Sequence, residues 1–360
     1  MEKKLRVAII GCGGIANGKH MPALRTIPEA EMVAFCDLIE ERAENAKKAY
    51  GTEDAKVYTD YKELLKDSTI DVVHVCTPNR SHSFISIDAL HAGKHVLCEK
   101  PMAKTFAEAQ AMVKAAKETG KILSIGYQNR YRADSQYMKQ TCEAGELGEI
   151  YYAKAHAVRR RAVPTWGVFL NEEEQGGGPL IDIGTHALDL TLWMMNNYKP
   201  KMVVGKAFKK LNQDKNTGNP WGDWDPKEFT VEDSAFGFVI MENGAVINLE
   251  SSWALNILDV REAQTTLCGT LGGADMADGL RINGVHHGRQ FVTRPSLEAG
   301  GVAFFSGASG KAEDIEQRVF YDAILKGTPL CVEPEQACVV TQILEAIYTS
   351  SKTGKPVYFD

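Results

Sequence analysis

The segment Leu5–Ala16, LRVAIIGCGGIA, constrains the fold more than any other, because a buried strand, a tight turn and a helix start follow one another without a break. The apolar run Leu5, Val7, Ala8, Ile9, Ile10 suits a parallel strand covered on both faces. Gly11, Gly13, Gly14, Ile15 and Ala16 then complete a G-x-G-x-x-A pattern. Gly11 permits the turn, Gly13 lets the backbone approach a pyrophosphate at a helix N-terminus, and Ala16 allows close helix-to-strand packing. Glycines after a strand also make ordinary turns, so the reading needs a second strand. Glu31–Asp37, EMVAFCD, supplies it and ends in an acid about where a carboxylate meets the adenosine ribose. Asp37 therefore favours NAD over NADP. The other role open to Asp37 is a cap on the helix 38–50. Arg42 is a residue type that accepts a 2′-phosphate, but it sits in EERAENAKK, which reads as a solvated helix face.

Along the chain, strands at 56–58 and 71–77 alternate with helices at 38–50 and 60–66, as a doubly wound parallel sheet requires. Thr77, Pro78 and Asn79 close the second of these strands at its carboxyl end, where such sheets hold ligands. Ser81 caps the next helix, with His82 in its first turn. The strand 94–98 runs into Glu99-Lys100-Pro101, a pair held by proline that can fix an ammonium group over a ligand or be an inert surface ion pair. Helix 105–119 and strand 121–126 complete six strand units, after which Tyr127, Gln128, Asn129, Arg130 and Tyr131 leave the sheet edge.

A chain of 360 residues suggests two domains. The net charge of −6 carries no polybasic signature, so neither nucleic acid nor an anionic membrane is an expected partner. The eight cysteines are scattered and read as reduced core thiols, which fits a cytoplasmic protein. No spacing suggests a metal site, and His286-His287 reads as ordinary surface. The start, MEKKLRVAIIGCGG, has the outline of a lipoprotein signal, but its apolar core is short and the strand and helix continue through it. No apolar stretch reaches the roughly 20 residues needed to cross a bilayer.

In the second half, 149–160 alternates as a strand with Tyr152, Lys154, His156, Val158 and Arg160 on one face. If that face lines a pocket, His156 and Arg160 touch substrate; otherwise it is an exposed basic strand or a subunit contact. Further strands are expected at 203–211, 231–241, 245–253 and 263–268, with 242–244 a hairpin turn and 213–227 a long loop, a lid or partner contact. An antiparallel sheet follows. A helix is expected from Pro179 to Met195, preceded by three glycines that let backbone pass close to a ligand. It is apolar except for Asp182, Thr185, His186 and Asp189, one stripe at i, i+3, i+4 and i+7. A buried ionisable stripe is expensive unless it is paired or working.

GCGGIA at 11–16, Asp37, TPN at 77–79, EKP at 99–101, GYQNRY at 126–131 and GGGPLIDIGTHALD at 176–189 together resemble the glucose-fructose oxidoreductase / inositol dehydrogenase (Gfo/Idh/MocA) family. The segment 334–357 resembles its terminal helix and strand, whereas 256–310 carries no motif of it. The resemblance implies an N-terminal Rossmann domain at 1–127, and at 128–360 a C-terminal α+β domain with a large, mostly antiparallel sheet. It also implies NAD(P)-dependent oxidation or reduction of a sugar, glycoside or cyclic polyol, and a broad sheet face that dimers or tetramers would cover. The expected cofactor residues are Gly11, Gly13, Gly14, Ile15, Asp37, Thr77, Pro78, Asn79, His82, Glu99, Lys100 and Gln128. The expected substrate residues are Lys100, Arg130, Tyr131, His156, Arg160, Asp182 and His186.

Alcohol oxidation needs a base for the hydroxyl proton while hydride leaves carbon. Imidazole, ordinarily near pKa 6.5, suits neutral pH better than lysine near 10.4. His186 is therefore the expected acid/base, Lys100 the group stabilising alkoxide character, and Asp182 the orienter of His186 or of a substrate hydroxyl. Lys100 as proton acceptor stays open. Two other readings stand beside the dehydrogenase: an enzyme that uses bound NAD transiently to ease glycoside elimination, and a dinucleotide sensor without catalysis.

Overall fold

The computed structural model describes residues 4–297 and 311–359. The chain divides into two compact units, Met1–Tyr131 with Gly310–Cys338, and Arg132–Ser309 with Val339–Asp360.

The first unit is built on six strands, β1 (Leu5–Ile10), β2 (Ala30–Cys36), β3 (Lys56–Tyr58), β4 (Val72–Val75), β5 (His95–Cys98) and β6 (Leu123–Ile125). They pair in parallel in the order β3-β2-β1-β4-β5-β6, the doubly wound sheet expected from the alternation of strands and helices. Val7, Ala8 and Ile9 are fully buried, as a central strand covered on both faces demands. Phe35 joins Val7 and Ile9 in one core cluster, and so do Phe320 and Tyr321 from the helix Ala312–Lys326. The helix Phe106–Thr119 is set by residues readable in the sequence. Thr105 and Glu108 form a capping box at its start, and Gly120 ends it in the left-handed conformation at φ 64°.

The strand order reverses between β1 and β4, so their carboxyl ends open the crevice that holds ligands in such sheets. Gly11 sits there at φ +91°, and a Cβ on it would lie 2.6 Å from the carbonyl oxygen of Cys76, just past β4. Only glycine permits both the backbone angle and the approach.

The second unit contains a nine-stranded sheet: β7 (Ile150–Val158), β8 (Pro200–Phe208), β9 (Ser234–Met241), β10 (Val246–Ser252), β11 (Arg261–Gly269), β12 (Gly272–Asp275), β13 (Arg281–His286), β14 (Arg289–Thr293) and β15 (Val357–Tyr358). The order is β14-β13-β12-β11-β7-β10-β9-β8-β15. Among the described strands of this sheet only β10 and β7 pair in parallel; the other pairs are antiparallel. Strand β8 ends earlier than its apolar run suggested. Asp233 Oδ2 accepts the N–H groups of Lys210, Leu211 and Asn212 and bends the chain out of the sheet. The stretch without a family motif holds β11 to β14 as far as residue 297; its residues 298–310 lie outside those described. His286 and His287 stand at the exposed β13–β14 turn.

Among the described residues no helix is long and apolar enough to cross a membrane, no His/Cys/Asp/Glu group is arranged to hold a metal, and all eight cysteines are free. Gly11→Ala is expected to cost about 1–3 kcal/mol of stability, read as a lowered urea midpoint; an unchanged midpoint would contradict the close approach of β1 and β4.

Candidate active site

At the carboxyl end of β1 the glycine turn forms an open cradle. A Cβ placed on Gly13 or Gly14 would meet no atom within 4 Å. The Asp37 carboxylate, at the end of β2, is anchored by backbone alone. Its Oδ2 accepts the Cys12 N–H at 2.9 Å and its Oδ1 accepts the Ile39 N–H at 2.9 Å. Each oxygen retains lone pairs for ribose hydroxyls. Leu38, 86% exposed, and the exposed Ile15 and Ile39 put apolar surface in the segments carrying this acid and this turn. An anion cradle, an anchored acid and exposed aliphatic side chains fit a dinucleotide. Cys12 itself is inert: burial, with the nearby Asp37 charge, pushes its thiol up to about 12.

The loops after β4 and β5 are joined by His82, buried with Nδ1 2.8 Å from the Pro101 carbonyl and Nε2 2.8 Å from the Thr77 carbonyl. A neutral ring donates to one of them at a time, and burial holds its pKa below the ordinary value. Ser81 Oγ donates to Thr77 Oγ1 at 2.9 Å, so its side chain tightens the Thr77-Pro78-Asn79 turn. His82 thus lies between the two loops, with both ring nitrogens against backbone carbonyls.

Glu99 is likewise an internal anchor. Its Oε1 is 2.8 Å from Lys19 Nζ and 2.7 Å from His20 Nε2, and its Oε2 accepts the Lys100 N–H at 3.1 Å. Burial alone would raise its pKa, but Lys19 and His20 hold it well below the ordinary range. Lys19 also lies 2.8 Å from Glu316, whose pKa is raised by burial despite that ammonium. Gln128 Oε1 accepts more distantly from Lys19, at 3.4 Å. The sequence offered Glu99-Lys100 as a possible pair; instead Glu99 turns inward to Lys19 and His20 and holds the Lys100 backbone. These two partners were missed, although both lie on the helix directly after the glycine turn.

In the second unit, the helix expected from Pro179 starts as a widened π turn, Leu180–Gly184, and continues as the α-helix Thr185–Met195. Such turns occur often at functional sites. With i→i+5 winding, residues four or five apart approach one face, which brings Asp182 toward the line of His186. Thr185, His186 and Asp189 are buried. Asp182 Oδ2 accepts the indole N–H of Trp253 at 3.0 Å, and Trp253 is fully buried just past β10.

The glycine run before this helix serves the protein rather than a ligand, contrary to the sequence expectation. A Cβ on Gly177 would lie 2.0 Å from the Tyr348 hydroxyl, and one on Gly178 would lie 2.2 Å from the Glu232 carbonyl. The cause is Glu232, a buried carboxylate that accepts from Gly178 N at 2.8 Å, Leu180 N at 3.1 Å and Tyr348 Oη at 2.8 Å. It satisfies N–H groups that a helix start leaves without partners. Trp253 and Glu232 are the residues the sequence reading overlooked here; the only signal was an acid pair, Glu232-Asp233, heading an apolar strand.

Four expected substrate residues are placed elsewhere. Arg130 is fully buried in the first unit, donating to the Cys331 carbonyl at 2.7 Å and to Gln336 Oε1 at 2.6 Å. Tyr131 is buried there too, with its hydroxyl engaged by Cys331. His156 lies on the wrong face of β7. The helix Thr185–Met195 packs on the Ala155 face, where Thr191 Oγ1 donates to Thr265 Oγ1, whereas His156 points the other way, to Thr266 and Glu250. Arg160 is exposed beyond the end of the strand. These placements give Arg130 and Tyr131 structural roles and remove His156 from the helix that carries His186.

Glu232→Ala leaves two backbone donors and a hydroxyl without their acceptor, with an expected cost of at least about 2 kcal/mol. Glu232→Gln, which keeps an acceptor oxygen, should recover part of it. Chemical denaturation of both variants checks this, and equal stability of Glu232→Ala and wild type would refute the anchoring role.

Residues 5–127 match the oxidoreductase family with an NAD-binding Rossmann fold, and residues 135–275 match the GFO/IDH/MocA C-terminal domain. The chain is 37% identical to the D-glucoside 3-dehydrogenase of Escherichia coli strain K12, over 98% of its own length and 97% of the relative's. It is 31% identical to the glucose-6-phosphate 3-dehydrogenase of Bacillus subtilis strain 168, over 69% and 67% of the two chains. The solved structure of GenD2 from gentamicin A biosynthesis in complex with NAD superposes with a TM-score of 0.77 at 25% identity, covering 100% of this chain and 97% of that one. With the glycine cradle, the anchored Asp37 and the two sheets, these likenesses settle the family: the chain belongs to the Gfo/Idh/MocA oxidoreductases and binds NAD.

Proposed function

We propose that the protein is an NAD-dependent dehydrogenase acting on a secondary ring hydroxyl of a glucoside or closely related sugar. The observation that carries this is an acid on the widened π turn Leu180–Gly184, Asp182, fixed by Trp253, and an imidazole four residues on, His186, buried in the α-helix that continues from that turn. The full-length likeness to a D-glucoside 3-dehydrogenase supports a glucoside over an inositol.

NAD, when bound, supplies the hydride acceptor. Gly13, Gly14 and Ile15 would hold its pyrophosphate, Asp37 its adenosine ribose, and Thr77, Asn79, Lys100 and Gln128 its nicotinamide half. His186 takes the hydroxyl proton, Asp182 keeps the imidazole or a neighbouring sugar hydroxyl in place, and the Lys100 ammonium stabilises the oxygen as it becomes negative. Eight free cysteines suit a reducing cytoplasm. Val204 and Phe238, adjacent and exposed on the sheet face away from the helix Thr185–Met195, suit a homo-oligomer.

The test is NADH formation measured by absorbance across glucosides, free sugars and inositols. Net NADH with a glucoside is expected; consumption of the glycoside without net NADH would overturn the dehydrogenase in favour of transient cofactor use. His186→Ala should lower kcat at least about 100-fold while the Kd for NAD stays within about threefold, and equal loss of both would contradict the assignment.

A further inference from the structure

Two tryptophans of the second unit are held in water where hydrophobicity alone would bury them. Trp166 is 52% exposed and Trp221 44% exposed, edge to face with ring centroids 5.1 Å apart. Large exposed aromatic surface marks a place that meets another molecule. The pair is also rigidly built. Val163 N donates to Asn219 Oδ1 at 2.9 Å and Asn219 Nδ2 returns a bond to the Val163 carbonyl at 3.0 Å. Thr165 Oγ1 donates to the Trp221 carbonyl at 2.6 Å, so the two loops that carry the rings are laced together.

The ledge leads to the proposed site by two routes. Trp166 packs on Phe169 at 6.0 Å and Phe169 on Trp253 at 6.5 Å, and Trp253 donates to Asp182. On the other side Arg159 lies 5.4 Å above the Trp221 ring, paired with Glu262 and close enough to Asp182 to feel its charge. An aromatic surface joined through Phe169 and Trp253 to the Asp182 proposed for the site suits a sugar ring. The flat face of a pyranose presents C–H bonds of slightly positive charge, which complement the negative face of an indole, while Arg161 and Asn256, bonded at 2.9 Å at the rim, suit ring hydroxyls.

Resting on the dehydrogenase reading, we propose that Trp166 and Trp221 form a stacking subsite for a second pyranose ring, glycosidically linked to the ring that is oxidised, so that the preferred substrate is a disaccharide. The ledge gives the second ring a place to bind that a monosaccharide leaves empty.

The experiment uses the full-length protein with NAD and compares kcat/KM for four glucose disaccharides of different linkage with that for methyl β-glucoside, in wild type, Trp166→Ala and Trp221→Ala. Wild type is expected to prefer at least one disaccharide, and each substitution to lower the ratio of disaccharide to methyl glucoside kcat/KM about tenfold, the equivalent of about 1.4 kcal/mol. In parallel, indole fluorescence without NAD is expected to shift on titration with that disaccharide, less so in the variants. If no sugar is oxidised but the fluorescence shifts, the ledge stands and the dehydrogenase reading falls. If the ratio is unchanged and the fluorescence silent, the ledge falls, whether or not the enzyme is active. Loss of an oligomer in either variant with an unchanged ratio would make the pair a subunit contact and overturn the proposal.

Discussion

The buried Glu99 carboxylate is the interaction on which the first unit depends. Around it runs a chain of hydrogen bonds from Glu99 to His20 at 2.7 Å, His20 to His74 at 2.9 Å and His74 to Tyr321 at 3.0 Å. One assignment of the ring hydrogens gives each of these atoms a partner. Tyr321 donates to His74 Nε2, His74 Nδ1–H donates to His20 Nδ1, and His20 Nε2–H donates to Glu99, an assignment made from the pattern of partners. Burial agrees, pushing the Tyr321 pKa up and that of His74 well down, so the phenol stays a donor and His74 stays uncharged. Lys19 lies between two buried carboxylates, Glu99 and Glu316. Breaking a buried pair by removing one partner costs about 3–5 kcal/mol, so the set behaves as a unit. It ties the helix after the glycine turn, the end of β5 and the helix Ala312–Lys326 to one point, and from that point the Lys100 backbone is held.

The same device recurs in three places. Asp37 accepts from Cys12 N and Ile39 N, Glu99 from Lys100 N, and Glu232 from Gly178 N and Leu180 N. In each case a carboxylate placed by a strand end or entry fixes the backbone of a segment proposed to meet a ligand. Charge-assisted bonds to backbone donors are stronger than neutral ones and leave no slack rotamer between anchor and backbone. Precision at a site then comes from the scaffold beneath it rather than from the reacting side chains.

Much of this was legible in the sequence where the signal is local. The strand-turn-helix at Leu5–Ala16, the six parallel strands, the ending of a helix at Gly120 and the polar stripe on the helix with His186 follow from periodicity and small residues. What was illegible depends on distant partners. Nothing local in Trp253 foretells a bond to Asp182, and nothing in Gly177 and Gly178 says that Tyr348 and the Glu232 backbone need the space. His156 was assigned to the site because alternation tells which residues share a face but not which face the helix covers. Arg130 is a substrate expectation that came with the GYQNRY motif; its bonds to Cys331 and Gln336, far along the chain, make it internal.

Under the proposed function, Lys100 and His186 serve one proton-transfer step. A double-mutant cycle measures it most directly: kcat for a glucoside at saturating NAD in wild type, Lys100→Met, His186→Ala and the double variant. Groups that serve one step lose little more together than the worse of them loses alone. The account therefore predicts a double variant within about threefold of the slower single variant. Losses that multiply across the two substitutions would show independent contributions and contradict the account.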